Sequence, residues 1–242
     1  MVLSRDCIWL SAGYCVAIRG AGRAMIRFRK ICCPYVAGYS YASQCCCTGR
    51  MHFQCRAWFE PVEGCYYSVG IHPWKVLEAG PEDWTTLEKA VCHPSVLAIG
   101  EAGLDRLGPA DILLQKEVFV RQILLSESVG KPLVIHCVKA FNELIELKKK
   151  YRPQMPWVVH GFRNNLHIAC RLMQENIYFS LGERYQPDVL RHVPLECLLA
   201  ETDESTQDIR MVIGRMAETK NVEVSFLCDR IDENARKIFF RQ

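Results

Sequence analysis

The sequence predicts an α/β chain folded as a TIM-like (β/α) barrel that lacks its first two strands. Three observations carry that expectation. Six short apolar runs alternate with helical stretches from about Phe59 onward. Acidic and histidine residues stand at or just after the ends of those runs, where a barrel collects its reactive groups. No Gly-rich GxGxxG or GxxxxGKS/T loop follows any run, which removes support for a doubly wound nucleotide-binding sheet.

The runs are YYSVGIH (66 to 72), VLAIGE (96 to 101), PLVIHC (132 to 137), PWVVHG (156 to 161), IYFSLG (177 to 182) and CLLAET (197 to 202). Each is rich in β-formers and apolar on both faces, as strands covered by helices on one side and by a core on the other must be. Between them, DILLQKEVFVRQILLSESVG and KAFNELIELKKKYRP read as helices. The second ends in basic residues and a proline, a favoured helix C-terminus. Two further helices, around 206 to 219 and 222 to 240, close the chain.

The front is different in kind. Residues 1 to 58 carry eight basic side chains against one acid, Asp6, and eight of the 14 cysteines. The whole chain of 242 residues is half apolar with a net charge of +3, too small to imply a nucleic-acid groove by itself. A chain this long has core enough without disulfides, and the adjacent Cys45, Cys46 and Cys47 are poorly placed to pair with one another. No C-x2-C spacing suggests structural zinc. The run CIWLSAGYCVAI has the length of a signal-peptide core, but Asp6 stands at its start and no clean cleavage site follows, so a cytoplasmic chain is expected. No segment reads as a membrane span.

Among the polar residues, Glu101, His136, His160 and Asp203 arrive on four different strands. Taken singly, a histidine after a strand is more often a hydrogen-bonded structural residue than a ligand. Taken together, imidazole and carboxylate form the donor set of zinc, manganese or magnesium hydrolase sites. Asp105 follows Glu101 closely enough to orient a ligand or to cap the next helix, capping being the simpler reading, and Lys148, Lys149 and Lys150 read as a solvated helix end. Cys137 reads as a buried strand-end thiol rather than a nucleophile.

The strings YSVGIHPW, AIGEAGLDR, LVIHCVKAFNELIELKKK, WVVHGF and LLAETDES, in this order, resemble the TatD family of metal-dependent deoxyribonucleases, especially its compact bacterial members. The resemblance covers residues 59 to 242 and implies an amidohydrolase-like barrel with two divalent metal ions (magnesium, manganese or zinc) at its mouth. It implies hydrolysis of DNA phosphodiesters, on single strands or at 3′ ends, with no membrane and no obligate protein partner. Residue by residue, Glu101 looks like the carboxylate bridging two metals, and His136 and His160 like ligands of the second. Asp203 resembles the first-metal ligand that helps deprotonate the attacking water, so that Glu101 and Asp203 are the expected catalytic pair. His72 resembles a mouth residue that contacts substrate phosphate.

One family element is missing. The first strand of the family carries His-x-His, usually as D-x-H-x-H, and this chain has no His-x-His. Permitted codons for GYSYASQ, read one base later, encode DIHTHH, so residues 1 to 58 are expected to be aberrant, upstream and out-of-frame translation. Without that motif the chain is expected to hold only one ion tightly and to leave the barrel open beside 66 to 72 and 197 to 202. The competing functions are hydrolysis of a small phosphoester or amide on the same scaffold, and a non-catalytic barrel with one metal site.

Overall fold

The computed structural model describes residues 9–11, 16–19, 25–32 and 65–240, with side chains from Tyr66 on. Strand-helix alternation begins at β4 (Cys65–Gly70), which leads through a 3-10 turn (Pro73–Glu78) into α1 (Pro81–Ala90). The order continues β5 (Val96–Asp105), α2 (Ile112–Val129), β6 (Leu133–Val138), α3 (Phe141–Tyr151), β7 (Trp157–Val159) and α4 (Leu166–Gln174). It ends β8 (Tyr178–Leu181), α5 (Pro187–His192), a 3-10 turn (Leu195–Cys197), β9 (Leu198–Asp203), α6 (Ile209–Lys220) and α7 (Val224–Phe239). From β4 to β9 each strand pairs in parallel with the next. This is the TIM-like barrel wall that the six apolar runs predict.

Ahead of it lie β1 (Trp9–Ser11), β2 (Val16–Arg19) and β3 (Met25–Cys32). The expectation of open edges is corrected here. β1 pairs in parallel with β9 through Leu10 and Glu201, and antiparallel with β3. β3 in turn runs antiparallel to β4 along six residue pairs, and β2 hangs on β3. The sheet therefore closes, but through an antiparallel strand. Among the described residues none of β1 to β3 is followed by a helix, so the first two strand-helix units of a regular barrel stay absent. The segment GYSYASQCCC lies outside the described residues.

Side-chain alternation along the strands builds the site. Leu133 and Ile135 of β6, and Trp157 and Val159 of β7, join the main core beneath the helices. The intervening Val134 and Val158 join Ala98 and Leu199 in a second cluster, with Ala235, Ile238 and Phe239 of α7. Two residues further along the same strand face come His136, His160 and Glu201, because period 2 keeps residues i and i+2 on one side. The inner face thus runs from apolar at its strand-start end to polar at its strand-finish end. On β5 the pairing with β6 shifts register between Ile99 and Ala102. The extra residue re-aims the strand, so that Glu101, Gly103 and Asp105 share the inner face while Ala102 and Leu104 pack in the main core.

Two helix ends differ from expectation. Asp111, not Asp105, caps α2, its side chain accepting from Leu113 N, and Gly130 closes that helix with φ 67°. Lys148 is half-buried, its Nζ 4.8 Å from the Trp157 ring centroid, whereas Lys149 and Lys150 are exposed. Burial lowers the Lys148 ammonium to about 8, against smaller opposing effects of Glu127 and Glu175. Because the folded value lies below the usual lysine range, the unfolded chain binds the proton more readily, and stability rises with pH from about 8 to the unfolded value. Lys148→Met, which keeps the stem and removes the charge, should therefore stabilise the fold at neutral pH, with the advantage shrinking above pH ~8. Thermal melts of both proteins across that range test this, and parallel pH profiles would refute it.

Candidate metal centre

The polar end of the inner face is organised by α2. Its buried Gln122 accepts from Ile71 N at 2.8 Å and donates to Ile71 O at 3.0 Å, fixing the backbone just before His72. Seven residues earlier, buried Gln115 clamps Asp105 in the same way, at 2.7 and 2.8 Å. Two amides on one helix face thus set the ends of β4 and β5. The sequence reading missed both, although two glutamines at i and i+7 among Phe119, Ile123 and Ser126 were a visible anomaly on a core-facing stripe.

His72 leads into the first 3-10 turn, and its Nδ1 accepts from Trp74 N at 3.2 Å. That leaves Nε2 facing Glu101 Oε2 at 3.4 Å. The other oxygen of Glu101, Oε1, lies 3.3 Å from His160 Nε2. His136 adds its Nε2 to Asp105 Oδ2 at 3.0 Å, and its ring centroid lies 4.5 Å from that of His72. Asp203 ends β9 in the left-handed region, φ 49°, with Oδ2 3.8 Å from Arg163 Nη2.

These residues fall into two donor groups. His72, Glu101 and His136 form one; Glu101, His160 and Asp203 form the other. Within each group the ligand atoms lie within 4.8 Å of one another, so small side-chain adjustments would bring all three to one ion at ordinary metal–ligand distances of ~2 Å. Nitrogen and carboxylate oxygen suit zinc and manganese, and the donor set fits a divalent cation in both groups. Glu101 belongs to both. The structure brings together all five residues singled out in the sequence, but in a different grouping. His72, expected at the mouth against substrate, lines the cleft at 2% exposure and also stands within reach of Glu101 and His136, while His136 and His160 fall into separate candidate groups.

Carboxylates behind the histidines complete the centre. Asp105 is buried, which pushes its carboxyl upward, but hydrogen bonds from His136, Trp74 Nε1 and Leu107 N together hold it below the usual aspartate value. It orients His136 and is not a helix cap. Burial, then the neighbouring His160, lowers the His136 imidazole, favouring the neutral ring that metals bind. Behind His160 stands Glu201, fully buried, accepting from Gly161 N at 2.7 Å and from Ser180 Oγ at 2.5 Å. Its Oε1 is 3.7 Å from His160 Nδ1. Glu201 was missed as a separate residue, though in LLAETD it precedes Asp203 by two and so had to share its face. Burial pushes the Cys137 thiol well up, as its reading as an inert strand-end residue requires.

A cleft of about 1090 Å³ opens over the centre. Its walls include Trp74, Lys139, Arg163, Asn164 and the exposed His167. His93 and His192 stand away from it. No helix of the described residues is long and apolar enough to cross a membrane.

A metal-dependent hydrolase of Bacillus subtilis, itself uncharacterized, is 28% identical over 72% of this chain and 77% of its own length. The deoxyribonuclease Tat-D of Schizosaccharomyces pombe is 32% identical over 60% of this chain, which spans about half (53%) of that protein. Among solved structures, a TatD homolog from Escherichia coli K12 superposes with a TM-score of 0.67 at 22% identity, covering 73% of this chain and 77% of that one, and shares the fold. The sequence model of the TatD related DNases matches residues 37–240, through every strand that carries a donor, and the chain belongs to that family of metal-dependent hydrolases.

Proposed function

We propose that the protein hydrolyses DNA phosphodiester bonds with two divalent cations, one held by His72, Glu101 and His136 and the other by Glu101, His160 and Asp203. The observation that carries this reading is the division of one carboxylate, Oε2 of Glu101 toward His72 and Oε1 toward His160. His72 then adds a second imidazole to the group that holds His136. Bound cations at such a pair supply charge to the attacking and leaving oxygens of a phosphoryl displacement and lower the pKa of water. The chain's own residues do the rest. Asp105 holds the His136 ring and Glu201 places a carboxylate behind that of His160; Asp203, at the open edge of the centre, takes the proton of the attacking water at a carboxylate oxygen. The water oxygen bonds to phosphorus as the phosphorus–oxygen bond to the leaving nucleotide breaks, and that proton passes to the released oxygen. Lys139 and Arg163 on the cleft wall offer charge to neighbouring phosphates. The deoxyribonuclease name of the fission-yeast relative supports DNA as the substrate.

Calorimetric titration with manganese should show two ions bound per chain at saturation, and His72→Ala should remove one of them. The same preparation should degrade single-stranded DNA when magnesium, manganese or zinc is added. One ion in the unaltered chain would return the site to Glu101, His136 and His160 alone. Cleavage of small phosphodiesters but not of DNA would favour the small-substrate alternative. The separate proposal that residues 1 to 58 are out-of-frame translation is decided by resequencing codons 45 to 60, where an intact frame would overturn it.

A further inference from the structure

We infer that Trp74 is a stacking platform for a nucleobase of the bound strand, and hence a residue that selects nucleotide substrates over other phosphodiesters. The inference rests on the nucleic-acid reading of the site. Trp74 follows His72 by two residues and is 46% exposed; the nearby Leu77 and Leu107 are exposed too but do not line the cleft. Among the described residues that line the cleft, it is the one large apolar side chain left open to solvent. An indole in that position exposes a wide apolar face, which is unfavourable in water unless something covers it.

Looseness does not explain the exposure. The indole Nε1 donates to Asp105 Oδ2 at 2.6 Å, and Trp74 N donates to His72 Nδ1. The ring meets His72 edge to face with centroids 5.1 Å apart. On another side the β5–α2 loop closes in, where a Cβ built on Gly108 would sit 3.0 Å from Trp74 Cδ1. The ring is therefore fixed before any ligand arrives, so covering its free face costs little ordering entropy. Its centroid is 6.0 Å from that of His136, a donor of the metal centre. Lys139 and Arg163 stand on the cleft wall, as a polyanion with planar bases would require. Nucleobases of any identity offer a π-face, so the platform selects for a base without reading which one.

The test uses the full chain with manganese and fluorescently labelled, hydrolysis-resistant phosphorothioate strands, an oligothymidylate and an abasic strand of equal length. Anisotropy titrations should show Trp74→Ala binding the thymidylate about 10- to 100-fold more weakly, with the abasic strand unchanged. Trp74→Phe keeps a ring while losing the bond to Asp105, and should stay close to wild type on both strands. Equal weakening on the two strands, or none on either, overturns the platform. So does a Phe variant as weak as the Ala variant, because that would leave Trp74 only as a support for Asp105. If the unaltered chain binds neither strand and leaves DNA intact, the nuclease reading itself has failed; if it cleaves DNA while Trp74→Ala binds normally, only the platform has.

Discussion

Glu101→Ala should lower metal-dependent phosphodiester hydrolysis on the order of 10³-fold or more, while the protein still folds. The side chain is buried and faces histidines on both sides, so neither neighbour can move a carboxylate into its place. Removing it takes one donor from each three-donor group at once, which no other single substitution in the centre does. Asp105→Ala is the informative comparison. That change leaves every donor present and frees the His136 ring to turn, and losses of that kind run to roughly 10- to 100-fold. Rates on single-stranded DNA with manganese, together with calorimetric ion counts, separate the two variants. If Glu101→Ala still took up two ions, the shared-carboxylate arrangement would be wrong.

The second large effect concerns the backbone beneath the site. Gly103 lies on β5 opposite His136, with φ 142°, and a Cβ placed there would come within 2.0 Å of the His136 carbonyl oxygen. The obstacle is main chain, so no rotamer change relieves it. Gly103→Ala must push β5 away from β6 or strain its own φ, at a cost of about 3 kcal/mol. For a chain of this size the melting temperature should fall by roughly 6–12 °C. Since the displaced strand carries both Glu101 and Asp105, ion binding should weaken as well. A variant melting within a degree or two of the parent would show that the ladder has slack the structure does not suggest.

Legibility in the sequence followed the physics of each position. Strands β4 to β9 were readable because burial on both faces leaves an apolar run, and Glu101, His136, His160 and Asp203 stood out as polar interruptions of such runs. For Asp105 the capping reading was preferred over ligand orientation because the strand seemed to stop at Glu101; the register shift near Gly100 extends it to Asp105 and turns a loop residue into an inner-face one. Glu201 and the two α2 glutamines left a local trace in strand alternation and in a polar break of a helix stripe, but the partners that give them their roles lie in distant segments, which no local pattern reports. The alternation of Ile26 and Phe28 with Arg27 and Arg29 was a half-buried strand signal, and β3 occupies those residues. It was overlooked beside the irregular composition around it. The pairing of β1 with β9 joins residues near opposite ends of the chain, and nothing within three residues of sequence could announce it.

The division of Glu101 between two imidazole neighbours also fixes how the halves of the centre respond to each other. If both groups take cations, as proposed, an ion in either draws on negative charge that the other group needs, and adds a like charge nearby. Association of the second ion is weakened by some factor, and linkage requires that the second weaken the first by the same factor. Occupancy should therefore climb gradually with free metal concentration, through a broad interval in which singly loaded chains dominate. In that interval the reaction rate would follow the doubly loaded fraction, so the availability of the cation, more than the amount of protein, would govern turnover.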